Sequence, residues 1–192
     1  MEKAVDKIVA SDIHVGASTS KSDEFIEMLK LYDFEMLILL GDILHQEKFN
    51  PMKQEQRRFI RCLRKILKDG KKIIWCRGNN DSKLTELVRL LTGIEMVDEY
   101  RWKTDGKKYI ALHGHIFSVE NMKNESLAYC IKEDVNFVIC GHSHKATNIK
   151  INDIGYYNCG SWIYEKLTYI VIDKNGKHLR TFKPEKNQKP LK

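Results

Sequence analysis

Long apolar segments are missing from this sequence of 192 residues. The longest apolar run, Met36 to Leu40, is far too short to cross a bilayer. The first residues include the charged Glu2 and Lys3, and no apolar stretch follows them that could act as a secretion signal. We therefore expect a cytoplasmic protein that does not enter a membrane.

Paired cysteine motifs are also missing. The five cysteines are an odd number, none of them forms a C-x-x-C pair, and three lie inside apolar segments: Cys62, Cys76 and Cys140. This pattern indicates reduced, buried thiols rather than a disulfide framework or a cysteine zinc site.

Basic residues only slightly outnumber acidic residues. The net charge is +7, but residues 183–192 hold four lysines and one glutamate, which leaves the rest of the chain weakly basic. A modest positive field helps to recruit a phosphorylated ligand and is weak support for nucleic acid. One face of a predicted helix is basic and carries Arg57, Arg61, Arg64 and Lys68. A solvent-exposed helix surface explains these residues most simply, and a surface that binds RNA or DNA is the alternative.

No internal repeat or linker divides the chain, so we predict one domain over residues 1–182 and a disordered, lysine-rich tail over residues 183–192. Short apolar runs alternate with helical patterns in the first two-thirds, which indicates an α/β protein. The predicted strands there are Lys7–Ala10, Met36–Leu40, Lys72–Cys76, Tyr109–Leu112 and Phe137–Cys140, and the predicted helices are Ser22–Tyr32, Pro51–Asp69, Lys83–Thr92 and Val119–Glu133.

The last third of the chain reads as strands and hairpins. The predicted strands are Thr147–Ile151, Ile154–Asn158, Leu167–Asp173 and Lys177–Phe182. Two turns are predicted, at Asn152-Asp153 and at Asn175-Gly176.

Each buried strand of the first two-thirds is followed by side chains that can bind a metal ion. Seven such residues offer an oxygen or an imidazole nitrogen: Asp12, His14, Asp42, Asn79, His113, His142 and His144. Because the carboxyl ends of strands in an α/β sheet line the ligand crevice, we expect these side chains to meet at one rim. One divalent ion cannot use seven protein ligands, whereas two ions that share a carboxylate can.

Five segments together resemble the ordered motifs of the calcineurin-like metallophosphoesterases, over about residues 7 to 165. They are Ser11-Asp12-Ile13-His14, Gly41-Asp42, Gly78-Asn79-Asn80-Asp81, His113-Gly114-His115 and Gly141-His142-Ser143-His144. The resemblance implies a four-layer αββα sandwich that carries two divalent ions. Asp12, His14 and His144 would then hold one ion, Asn79, His113 and His142 the other, and Asp42 would bridge both. Manganese is favoured, with zinc, iron, nickel and magnesium as alternatives.

The resemblance implies hydrolysis of a phosphate ester by a hydroxide that bridges the two metal ions. Asn80 stands where most of the superfamily has a histidine, and an amide can donate a hydrogen bond to phosphate but cannot deliver a proton. This departure, the H-G-H motif and the short chain look like the small phosphodiesterase branch, which includes the retromer subunit. A phosphodiesterase is therefore the leading hypothesis.

Other functions remain as alternatives. Residues 156–162 and 104–109 are similar to segments of the UDP-diacylglucosamine pyrophosphatases, but only 28 residues separate His113 from His142, too few for the long helical lid of that group. Residues 41–45 resemble a motif of recombination nucleases in the superfamily. The remaining alternatives are a phosphomonoesterase and a non-catalytic scaffold like the retromer relative. The sequence does not predict the oligomeric state.

Four residues are candidates for contact with the substrate or for catalysis beside Asp42. Asn80 is expected to contact the phosphate, and Arg77 either binds phosphate or forms a salt bridge. His45 is expected near the substrate. His115 orders the metal rim or replaces the missing proton donor. Asp81 is expected to orient a ligand histidine or to cap the helix that begins near Ser82.

Overall fold

Two β-sheets form the centre of the computed structural model, which describes residues 2–45 and 52–184. The strands in the described part are β1 (Lys3–Ala10), β2 (Tyr32–Leu40), β3 (Lys72–Cys76), β4 (Met96–Val97), β5 (Glu99–Thr104), β6 (Lys107–Leu112), β7 (Phe137–Cys140), β8 (Thr147–Ile151), β9 (Ile154–Asn158), β10 (Leu167–Asp173) and β11 (Gly176–Phe182). The first sheet has the order β11-β10-β1-β2-β3-β4, and the second has the order β5-β6-β7-β9-β8. Strands β1 to β4 are parallel to one another, as are β6, β7 and β9.

Alternating side chains along the central strands explain how the sheets pack. In β2, Leu37 and Leu39 point to a core shared with helices, whereas Ile38 and Leu40 join a core shared with the second sheet. Both faces of the strand are thus buried, which is why it reads as a continuous apolar run and not as an alternating one.

Helices cover the outer face of each sheet. They are α1 (Ser22–Leu29), α2 (Gln54–Lys68), α3 (Thr85–Thr92) and α4 (Met122–Lys132), with a short 3-10 helix at Ser82–Leu84. Phe25, Phe59 and Val88 from the first three helices pack on the first sheet, and Met122 and Leu127 of α4 pack on the second. The layers are therefore helix, sheet, sheet and helix, and the predicted four-layer αββα sandwich is confirmed.

Some predicted bounds were wrong. The helix α1 ends at Leu29, because the backbone N–H groups of Lys30 and Leu31 bond three residues back and close the last turn. The following strand begins at Tyr32, whose hydroxyl lies 2.9 Å from that of Tyr169. The alternation of exposed Asp33 with buried neighbours is the strand signal that the helical prediction to Tyr32 missed.

Strands β4 and β5 were not predicted. The strand β5 lies at an edge of its sheet and is half exposed along its length, so it has no apolar run. The turn at Asn152-Asp153 is confirmed, since Ile151 pairs with Ile154. The other hairpin turns one residue earlier than predicted, because Asp173 pairs with Gly176.

Other helix bounds differ by one to three residues, and Pro51 lies outside the described residues. Most of the predicted tail, residues 185–192, also lies outside them, so that prediction stays a prediction. Among the helices of the described part, none has both the length and the apolar character that a membrane span requires.

Candidate metal centre

The loops that follow β1, β2, β3, β6 and β7 meet at one edge of the sandwich. The loops after β1 and β2 run side by side, with the Asp12 N–H donating to the Gly41 carbonyl at 3.1 Å and the His14 N–H donating to the Asp42 carbonyl at 3.0 Å. Across the two sheets, the His142 N–H donates to Asp12 Oδ2 at 2.8 Å. The rim predicted from the strand ends therefore exists.

One group of donor atoms forms around Asp12. Its Oδ1 atom lies 3.1 Å from His144 Nε2 and 3.9 Å from His14 Nε2. The donor atoms of these three residues all lie within 4.8 Å of one another. His14 Nε2 is buried and makes no hydrogen bond in the described structure, which is costly unless something else binds it. A divalent cation fits this position.

A second group of donor atoms forms around His113. Its Nε2 atom lies 3.0 Å from Asn79 Oδ1, 3.2 Å from His142 Nδ1 and 3.6 Å from Asp42 Oδ2. Two ligands bound to one cation at about 2.1 Å stand about 3 to 3.4 Å apart at ordinary coordination angles, so most of these separations match those of a shared ion. Donor atoms of Asp12, Asp42 and His113 also lie within 4.8 Å of one another, so the two groups are adjacent.

The protonation of His113 suits a metal ligand. Its Nδ1 atom lies 2.7 Å from the Leu40 carbonyl oxygen, which can only accept a hydrogen bond, so Nδ1 carries the proton. The lone pair of Nε2 is then directed to the site, as is usual for a ligating histidine held by a backbone carbonyl.

The backbone is strained where the donors stand. Five of the seven candidate ligands have φ between 50° and 65°: Asp12, His14, Asp42, His142 and His144. Only glycine adopts this left-handed region without cost, and other residues lose roughly 1–2 kcal/mol each. Such strain at several neighbouring positions is typical of functional sites.

The surroundings lower the pKa of two of the candidate histidines and raise that of a third. Burial lowers the pKa of His14 and that of His142. The hydrogen bond to Asp12 raises the pKa of His144. Burial acts to raise the pKa of Asp12, but the hydrogen bonds from His144 and Ser11 and the nearby imidazoles outweigh it, and the pKa of Asp12 is lowered.

Sequence reasoning missed two supporting residues. The Ser11 hydroxyl donates to the Leu40 carbonyl at 2.7 Å and also bonds to the Asp12 carboxylate, so it fixes the first ligand loop. Asn158 Nδ2 donates to the Gly141 carbonyl at 2.5 Å and to Ser143 Oγ at 3.1 Å, and so holds the loop of His142 and His144. Ser11 lies inside a quoted motif and Asn158 ends a strand, and these were the available signals.

Asp81 has a different role from the two that were predicted. Its side chain does not cap the 3-10 helix. Its Oδ2 atom instead accepts hydrogen bonds from the backbone N–H of Asp42 and of Gly78, both at 2.9 Å, and from Trp75 Nε1 at 3.3 Å. Asp81 thus ties the loop after β3 to the loop that carries Asp42.

Three of the four remaining candidate residues lie close to the candidate ligands. Asn80 contacts the Asp42 carboxylate twice, from its backbone N–H at 2.9 Å and from Nδ2 at 2.6 Å. The rings of His45 and His14 are 6.5 Å apart, and those of His115 and His113 are 5.6 Å apart.

Arg77 forms the salt bridge that was one of its two predicted roles. Its guanidinium bonds to Asp98 and, at 3.5 Å, to the Met96 carbonyl. A phosphate contact by Arg77 stays a prediction.

Solved structures with a similar fold include the following three. An archaeal phosphodiesterase is 20% identical, with 92% of this chain and 99% of that chain covered and a TM-score of 0.61. The phosphoesterase YfcE from E. coli is 21% identical, with 88% of each chain covered and a TM-score of 0.62. Vps29 from Entamoeba histolytica in complex with zinc is 16% identical, with 92% of this chain and 97% of that chain covered and a TM-score of 0.56. At these identities the likeness shows the fold alone.

No curated protein matches the sequence. A family model does match it: residues 6–176 fit the calcineurin-like phosphoesterase superfamily domain, which is most of the chain and includes every candidate ligand. The carboxylate and imidazole groups at the strand ends suit divalent metal ions. The chain is therefore a member of the calcineurin-like phosphoesterase superfamily.

Proposed function

We propose that this protein is a phosphodiesterase with two divalent ions at the strand-end rim. The observation that carries the proposal is the pair of adjacent donor groups, one around Asp12 and one around His113, with the Asp42 carboxylate beside the second. Asp12, His14 and His144 would hold one ion, and Asn79, His113 and His142 the other, with Asp42 between them. Two such ions would supply Lewis acidity to a phosphoryl group and would lower the pKa of bound water towards about 7.

The protein's own residues would bind and orient the ester. The Asn80 amide lies 2.6 Å from the Asp42 carboxylate, close enough to the proposed ions to donate a hydrogen bond to a phosphate oxygen. Arg77 would contact the same phosphate from the rim after leaving Asp98. Since Asn80 cannot protonate a leaving group, the proposal favours esters whose leaving group is stable as an anion, or proton donation by His115.

The position of α4 supports a diester or another small substrate over a lipid. The helix α4 accounts for 11 of the 28 residues between His113 and His142, and it packs on the outer face of the second sheet through Met122, Leu127 and Cys130. It therefore does not cover the metal rim, and it does not form the lid that an acyl chain would need. This arrangement also weighs against the pyrophosphatase alternative.

Manganese is the proposed metal. Carboxylate, amide and imidazole ligands together suit manganese, zinc or iron, and they suit calcium less well because calcium prefers oxygen ligands alone. Stripped protein should regain activity with one of these transition ions. The order of activation would identify the native metal.

A comparison of two chromogenic esters tests the function. Manganese-loaded protein should hydrolyse bis-p-nitrophenyl phosphate faster than p-nitrophenyl phosphate, and Asp42→Asn should lower the rate by about 100-fold or more. Asp33→Asn is the matched control, because Asp33 is exposed and pairs with Lys71 away from the rim. Equal or faster hydrolysis of the monoester would reject the diesterase, and no hydrolysis with any divalent ion would favour a scaffold role.

A further inference from the structure

A carboxylate that belongs to none of the motifs stands at the rim. Asp98 joins β4 to β5, and β4 pairs with the end of β3, so that the Arg77 N–H donates to the Val97 carbonyl at 2.7 Å. This pairing places Asp98 beside the loop that begins at Gly78. Its side chain is 83% exposed, so it contributes little to the packing of the core.

Asp98 and Arg77 lie next to the loop that packs against Asp42. The Arg77 guanidinium bonds to the Asp98 carboxylate. The next residue, Gly78, is in close contact with Asp42, because a Cβ added to Gly78 would meet the carboxylate and the backbone N–H of Asp42. The charge of Asp98 is therefore placed beside the loop that carries one of the proposed metal ligands.

A fixed negative charge at this place has two effects on an incoming phosphate. It competes with the phosphate for Arg77, and it repels the phosphate's own charge. A phosphodiester carries one negative charge, whereas a monoester carries between one and two near neutral pH because its second pKa is about 6. Both effects are larger for the monoester.

We propose that Asp98 is a specificity-determining residue, which disfavours doubly charged monoesters relative to diesters by pairing with Arg77 and by placing a negative charge at the rim. The inference rests on the proposed function. A purely structural ion pair is the competing explanation, but exposed pairs contribute little to stability. Arg77 also keeps a second acceptor, the Met96 carbonyl.

Asp98→Asn tests the proposal because it keeps the shape of the side chain and removes its charge. The ratio of kcat/KM for p-nitrophenyl phosphate to that for bis-p-nitrophenyl phosphate should rise about 2- to 5-fold, which is the range that an exposed ion pair supports. The change should lie mainly in KM for the monoester, and it should shrink at high salt because salt screens exposed charges. When Arg77 is also replaced, as in Arg77→Gln, Asp98→Asn should raise this ratio by a smaller factor.

Asp153→Asn is the matched control. Asp153 pairs with Lys107 at 3.0 Å in the turn between β8 and β9, so this variant removes the same charge far from Arg77. Calorimetric titration of inorganic phosphate into manganese-loaded protein gives a second measurement, in which Asp98→Asn should bind about 2- to 5-fold more tightly than wild type. Urea midpoints should stay equal among the variants.

Three results would overturn the inference. The first is that the enzyme is active but Asp98→Asn leaves the ratio of kcat/KM for the two esters unchanged. The second is that the Asp153→Asn control raises this ratio as much as Asp98→Asn does. If wild type hydrolyses neither ester, the proposed function fails, and the phosphate titration decides the role of Asp98 alone. Unchanged phosphate affinity would then reject it.

Discussion

Replacing Asp81 with alanine should destabilise the protein and weaken metal binding, although Asp81 is not a candidate ligand. The side chain is completely buried, and its Oδ2 atom accepts three hydrogen bonds, from the backbone of Asp42 and Gly78 and from the Trp75 ring. Alanine would leave all three buried donors without a partner. Because one of the donors is the Asp42 amide, the loop that carries this carboxylate should lose its position.

The size of the effect follows from the number of unpaired donors. A buried donor without a partner costs about 1–3 kcal/mol, and such costs are not fully additive, so a loss of about 3–5 kcal/mol is expected. A domain of this kind has roughly 5–15 kcal/mol of stability in total, so Asp81→Ala should remove a large share of it. Asp81→Asn keeps an acceptor oxygen and should lose less than about 2 kcal/mol. Burial raises the pKa of Asp81, although the hydrogen bond from Gly78 acts to lower it. Loss of the negative charge itself should therefore cost little stability.

Urea unfolding followed by circular dichroism measures the stability, and calorimetric titration with manganese measures the site. The free energy of unfolding and the affinity for manganese should both be highest in wild type, lower in Asp81→Asn and lowest in Asp81→Ala. Asp33→Ala is the control, because it removes an exposed carboxylate that pairs with Lys71. Equal losses in the two Asp81 variants would show that the charge matters rather than the hydrogen bonds. An alanine variant as stable as wild type would refute the argument.

Two further predictions concern protonation and the approach of the loops. Metal affinity, titrated by calorimetry from about pH 6 to about pH 9, should rise as pH increases through the pKa of His144, because the bond to Asp12 raises that pKa and the metal must displace the proton. A flat profile would contradict this. Gly141→Ala should cost more than about 3 kcal/mol in urea unfolding and should abolish metal binding, because the added Cβ would overlap the Ser11 hydroxyl. Gly93→Ala should cost only about 1–2 kcal/mol, since Gly93 has positive φ but a Cβ there would face open space; equal losses in the two variants would refute the overlap.

The central part of the fold could be predicted because its strands are buried on both faces. The apolar run of Met36 to Leu40 marks β2, and the candidate ligand Asp42 follows it in the sequence. The pairing of β9 with β7, and of β10 with β1, could not be read from such runs, because the contacts join residues far apart in the chain. The four-layer arrangement therefore came from the family resemblance and not from the pattern of residues.

The half-exposed parts of the site were the least predictable. Asp98 and Arg77 are 21 residues apart, and their contact depends on β4 and β5, which have no apolar periodicity to reveal them. The sequence marks Asp81 as a candidate but does not reveal its hydrogen-bond partners. A carboxylate that accepts hydrogen bonds from the backbone N–H groups of a neighbouring loop has no local sequence pattern that identifies those groups. Chemistry could be assigned to single residues, whereas contacts between loops required coordinates.

Local backbone preference and residue identity disagree at the metal rim, and the disagreement explains why the motifs are so recognisable. Asp12, His14 and Asp42 all have a left-handed backbone, a conformation that glycine would adopt at lower cost. Glycine offers no ligand, so the strain has to be offset by contacts such as the bonds from the Asp12 and His14 amides to the neighbouring loop. Loops shaped in this way hold their donors in position before any ion binds, which reduces the reorganisation that binding requires. Sequence positions that violate local preference, and are held by hydrogen bonds from other strands, are thus where the chemistry of this fold is concentrated.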